Sequence, residues 1–179
     1  MRSKSINAVL LLFSLFAFTK AYAYEEANKN RVHFQPEGCE FSVDFPDRPT
    51  LKDESGDNFT RHIAKLDAGN TYLQAACTVF SAEQPLEIPD DETLSLWGWA
   101  YASRNNIRLP EIEVKETLIG KLVIIKGSAL KDNWAHIFKV HSHLGKTSKI
   151  TLTASASSEH YPTPELTSFL ESIQRPQNK

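Results

Sequence analysis

The chain has little cysteine: two residues, Cys39 and Cys77, in 179. They are not in Cys-x-x-Cys spacing, which excludes the usual dithiol redox motif, and neither stands where a lipid-bearing cysteine would follow a leader. Clusters of Lys and Arg are missing too. Nucleic-acid affinity comes mainly from phosphate neutralisation, so no nucleic-acid partner is expected. Repeats, low-complexity tracts and long linkers are absent, which leaves one domain. Hydrolase signatures are lacking as well: no Gly-x-Ser-x-Gly elbow and no His-Glu-x-x-His. Gly145-Lys146-Thr147 has the ending of a phosphate-binding loop, but Val140 stands where its first glycine belongs.

What is present begins with a secretory leader. Arg2 and Lys4 precede an apolar stretch, Ile6 to Phe18, and Ala21-Tyr22-Ala23 supplies a peptidase site. The stretch is shorter than the roughly 20 residues of a bilayer-spanning helix. Residues 1–23 are therefore expected to be a signal peptide cleaved after Ala23. The product is expected in the periplasm or secreted, with no lipid anchor and no transmembrane segment. Three of the 20 basic residues and none of the 22 acidic ones fall in the leader, which leaves 17 against 22 and a net charge of −5. Residues 24–37 read as a flexible lead-in, 38–174 as the domain, and 175–179 as a C-terminal tail.

In an oxidising compartment two cysteines have one way to pair. A Cys39–Cys77 bridge is expected to stabilise by roughly 3–4 kcal/mol on the chain-entropy model. The rival reading is two free thiols, one of them catalytic.

Hydrophobic periodicity places the elements. Cys39, Phe41, Val43 and Phe45 alternate with polar residues, which predicts a strand ended by Pro46 and Pro49. Residues 52–58 read as a polar turn region. Strands follow at 59–66 and 71–81, joined through Gly69-Asn70. Pro89-Asp90-Asp91-Glu92 opens a helix to about Asn105, with Leu94, Trp97, Tyr101 and Ala102 on one face and Trp99 off it. Strands at 112–119 and 122–130 flank a turn at Gly120-Lys121, and two more follow at 134–143 and 149–157. Thr163-Pro164 starts a last helix, with Leu166, Phe169, Leu170 and Ile173 in a stripe. This order is α+β, an antiparallel sheet of about six to seven strands packed with two or more helices.

The run from Gly38 to Pro49, with Phe41-Ser42-Val43-Asp44-Phe45-Pro46, resembles the opening strand of PsbP-like proteins, and Ser168-Phe169-Leu170-Glu171-Ser172-Ile173 resembles their closing helix. The resemblance spans roughly residues 38–174. It implies an α/β/α sandwich, the fold of extrinsic photosystem II subunits, of a Ran-binding import factor and of many small exported bacterial proteins. No catalytic motif of the family is matched, and the fold by itself does not fix function.

Two features carry candidate chemistry. Trp97, Trp99 and Tyr101 on the central helix make a candidate binding surface. His141 and His143 share one face of a strand, spaced about 7 Å apart, a geometry for two ligands of zinc or copper; His160 or Glu159 would supply a third. The alternative for the pair is an ordinary strand end. Residues 147–158, crowded with serine and threonine, read as an ordinary strand with one wet face. The function expected is non-enzymatic, a binding or assembly accessory of the bacterial cell envelope with another envelope or secreted protein as partner. The alternatives are a metal- or small-ligand-binding protein using His141 and His143, and an enzyme of unknown reaction. No cofactor is expected, apart from zinc or copper in the metal reading.

Overall fold

The computed structural model describes residues 31–83, 86–131 and 134–176. The expected leader, most of the lead-in and residues 177–179 lie outside the described residues.

Among the described residues nine strands and two helices follow in the order β1 (Val32–Phe34), β2 (Val43–Phe45), β3 (Thr50–Gly56), β4 (Phe59–Ala68), β5 (Thr71–Phe80), α1 (Asp91–Arg104), β6 (Arg108–Thr117), β7 (Gly120–Lys131), β8 (Trp134–Leu144), β9 (Ser148–Ser157) and α2 (Pro164–Glu171). β1 and β2 form a small antiparallel pair. The other seven form one antiparallel sheet in the order β3-β4-β5-β9-β8-β7-β6. Two meanders, β3–β5 and β6–β9, are thus joined by pairing β5 with β9. The α+β class holds.

Several local expectations need correction. Residues 32–34, expected in the lead-in, form β1. The predicted strand at 39–45 pairs regularly only from Val43, although Cys39, Phe41, Val43 and Phe45 are all buried as the alternation requires. Ser42 is buried as well and bridges to Gln174. The polar turn region is in fact strand β3, an edge strand with little to bury. Cross-strand pairs hold it instead: Arg61 with Glu54, and His62 with Asp53. The β6–β7 turn falls on Leu118-Ile119, one step before Gly120. Gly120 is its exit, at φ 122°, which only glycine adopts comfortably, and its carbonyl accepts from Thr117 Oγ1 at 2.6 Å.

Both helices start as the capping rules require. Asp90 accepts the Thr93 N–H and Thr163 accepts the Leu166 N–H. They lie on opposite faces of the sheet. α2 packs Leu166, Phe169 and Leu170 into one core with Phe41, Val43, Phe45, Leu73, Ile150 and Leu152. α1 packs Leu94 and Ala102 into a second core with Val123, Ile125 and Val140. On β9 the alternate residues Ile150, Leu152, Ala154 and Ala156 belong to the α2 face, which leaves Lys149, Thr151, Thr153 and Ser155 on the α1 face. Gly98 lets α1 approach closely, because a Cβ there would lie 2.7 Å from Ile112 Cγ2.

Cys39 and Cys77 form a disulfide with Cα atoms 6.3 Å apart. The two cysteines are not on neighbouring strands of one sheet. The bridge ties the segment entering β2, which lies over the α2 face, down onto β5. Glu40 reinforces the same connection. It accepts the N–H groups of Thr147 (2.6 Å) and Ser148 (3.0 Å) and pairs with Arg175. Burial raises the Glu40 pKa, but those bonds and the guanidinium outweigh it and hold the carboxyl below its ordinary value.

Candidate binding site on the α1 face

α1 lies over β6 and β7. Its edge toward the middle of the sheet carries Trp97 and Tyr101, four residues apart and therefore on one side of the helix. Their rings are 5.6 Å apart. Tyr101 reaches β9, its hydroxyl 3.1 Å from Thr153 Oγ1. Tyr72 of β5 stands beside it and donates its hydroxyl to Gln74 Oε1 at 2.6 Å. Burial raises the Tyr72 pKa, helped by Tyr101 and Asp67. Beneath these rings Thr151, Thr153 and Ser155 are buried, and Ser142 Oγ lies 3.0 Å from Thr151 Oγ1. The row read as a wet strand face is therefore a shaded floor of hydroxyls. β9 is central in the sheet, and aromatic side chains roof it.

Lys149 lies at the end of this floor. Its ammonium stands 4.8 Å from the Trp97 ring centroid, a cation–π contact. Burial pushes its pKa down, and Arg61 adds to the effect. The register sets Lys149 opposite Leu144 on β8 and Thr78 on β5. Next outward on either side come Lys121 and Arg61. Lys121 pairs with Asp91 and Glu116, and Arg61 with Glu54. Among the described residues no carboxylate forms an ion pair with Lys149. It lines a cavity of about 160 Å³ with Leu86, Pro89, Leu94, Trp97 and Leu144. The hydroxyl-bearing residues Thr93 and Ser142 complete the lining.

The structure divides the sequence-derived candidates. Trp97 and Tyr101 come together at this site. Trp99 does not: it projects from the outer side of α1, 53% exposed, as does Leu96. Its offset of two residues from both partners makes that separation unavoidable on a helix. His141 and His143 do share a face, with ring centroids 6.3 Å apart, but it is the opposite face of the sheet. His143 is buried near Phe41, with ring centroids 6.1 Å apart. Burial lowers its pKa to about 4. His141 is lowered to about 3 by burial and then by Lys139, His143, Lys126 and Lys115. A ring of lysines disfavours a bound cation. Among the described residues no group of three His, Cys, Asp or Glu side chains could hold a metal. His160, proposed as the third ligand, bonds to Ser157 at 2.8 Å and lines a separate cavity with Glu159, Trp134 and His136. A larger cavity, about 420 Å³, lies by the β6–β7 hairpin, but its charged groups Glu40 and Arg175 satisfy each other.

Sequence reasoning missed Lys149. The one available signal was a lysine within an otherwise hydroxyl-bearing row of β9. The residues that make it a site come from β8, the segment before α1, and α1 itself.

No family model and no curated protein matches the chain. Among solved structures, a crystal structure from Bacteroides thetaiotaomicron VPI-5482 is similar at 8% identity and a TM-score of 0.46. The match covers 84% of this chain and 50% of that one, so the chain spans about half its length.

Proposed function

We propose that this protein is an exported, PsbP-like binding module of the bacterial cell envelope that engages its partner through the α1 face of its sheet. The observation that supports the reading best is the Trp97–Tyr101 pair set beside Lys149, which forms no ion pair with a carboxylate among the described residues, over a floor of hydroxyls. Aromatic side chains with a polar tip and one cation are what binding sites concentrate. The groups gathered here are hydroxyls, rings and an ammonium. The disulfide is weakly compatible with export.

Capture from envelope extract tests the reading. The oxidised protein should retain a specific partner, the Trp97→Ala/Tyr101→Ala variant should lose it, and Trp99→Ala should keep it. Retention by the double variant, or no specific partner for the unmodified protein, would overturn the proposal.

A further inference from the structure

We infer that the cavity beside Lys149 takes the carboxylate of a small ligand with an apolar body. The inference rests on the reading of the α1 face as a binding site and names the chemistry that site selects.

Charge comes first. In the row that runs across β7, β8, β9, β5 and β4, three cations face the same side of the sheet: Lys121, Lys149 and Arg61. The outer two have carboxylate partners. Among the described residues the middle one, nearest the sheet centre, forms no ion pair with a carboxylate and stands over the face of Trp97. A partly buried ammonium without a counter-charge is costly, and an arriving anion would remove the cost.

Shape comes second. The cavity wall is built from Leu86, Pro89, Leu94, Trp97 and Leu144, and almost none of it is polar. Its volume of about 160 Å³ matches a ligand body of roughly six to eight heavy atoms, since an apolar cavity near 150 Å³ holds benzene. One cation at the edge of an apolar space suits a monoanion. A phosphate dianion would need further donors or a second cation, and Arg61 is already committed to Glu54. Lys149 would meet a carboxylate oxygen as a point charge.

Such a carboxylate has two sources: a free short-chain acid, or the C-terminal residue of a polypeptide with an apolar side chain. Matched acids and amides separate charge from shape and one source from the other. The probes are hexanoate against hexanamide, and N-acetyl-leucine against N-acetyl-leucinamide. Binding is read from Trp97 fluorescence in a Trp99→Phe/Trp134→Phe background. Each acid is expected to bind at least about tenfold tighter than its amide, the margin of one charge-assisted hydrogen bond. Lys149→Met should abolish that margin while leaving amide binding in place. The tighter of the two acids identifies the source. Equal binding of acid and amide, an undiminished margin in Lys149→Met, or no binding by any probe would each overturn the inference. A partner that is lost with Trp97→Ala/Tyr101→Ala yet kept with Lys149→Met would sink the carboxylate chemistry alone. Loss of every probe together with every captured partner would sink the binding-module reading as well.

Discussion

The two faces of one strand set the terms for the whole molecule. On β9, Ile150, Leu152, Ala154 and Ala156 point into a dry layer closed by α2, β2 and the disulfide-tied segment. Lys149, Thr151, Thr153 and Ser155 point the other way, under Trp97 and Tyr101. The first face has the make-up of a core: aromatic contacts such as Phe45–Phe169, with centroids 4.8 Å apart, and histidines held neutral. The second keeps hydroxyls and an ammonium at the centre of a sheet, where apolar residues would be more stable. Its hydroxyls find one another, as Ser142 and Thr151 do, and its ammonium finds a ring. One face serves stability, while the other carries polar groups that stability does not ask for.

The largest test of that contrast is the disulfide. Reducing Cys39–Cys77, or replacing both residues with serine, releases a loop of 38 residues' separation. The expected loss is about 3–4 kcal/mol. With a urea m-value of about 1–3 kcal/mol/M, the unfolding midpoint falls by roughly 1–4 M. Before that midpoint the Trp97 signal should be unchanged, because the bridge lies on the other face. A loss under about 1 kcal/mol would mean that the segment over the α2 face is held by its packing alone.

Acid should also act on the α2 face. His143 and His141 have folded-state pKa values near 4 and 3 against an ordinary 6.5. Between these limits the folded chain binds fewer protons than the unfolded one. Stability is therefore intact above about pH 6.5 and falls as the pH drops toward 4. Each histidine contributes a slope of at most about 1.4 kcal/mol per pH unit. His143→Leu should remove one of the two contributions, so that unfolding free energies measured at pH 6.5 and 4.5 converge relative to the unmodified protein. An unchanged slope would show that His143 meets water.

How much of this was legible in the sequence follows from how local each cause is. α1 and α2 were readable because their caps and stripes lie within one segment. β5 and β9 were readable because strict alternation has no other explanation. β3 was hidden: Lys52-Asp53-Glu54 buries nothing, and only its pairing with β4 makes it a strand. The β6–β7 turn was displaced because Gly120 looks like a turn centre, whereas its positive φ serves as the exit. Of the site, Trp97 and Tyr101 could be named from helical spacing. Lys149 could not, because its environment is assembled from β8, α1 and the residues before α1, and no periodicity records which cation in a row lacks its carboxylate.

The smallest expected effect bears most directly on the contrast between the faces. If Lys149 is kept for binding, Lys149→Met should stabilise the protein, because it exchanges a desolvated ammonium, with no ion pair among the described residues, for an apolar chain of similar length. Gains of this kind are typically about 0.5–2 kcal/mol, and each kcal/mol raises the Tm by about 2–4 °C in a chain of this size. The pH dependence fixes the cause. The folded-state pKa of Lys149 lies below its unfolded value, so between the two the folded protein binds fewer protons than the unfolded one. The penalty is in full force below the lowered pKa and fades as the pH rises from there toward the unfolded value. The advantage of Lys149→Met should therefore shrink as the pH rises toward 10. Lys121→Met is the control. Lys121 has two carboxylate partners and a raised pKa, first from its bond to Asp91, so its replacement should bring no gain. Should Lys149→Met instead lower the Tm at neutral pH, the lysine stem would be packing material, an extension of the core under α1 rather than part of a site.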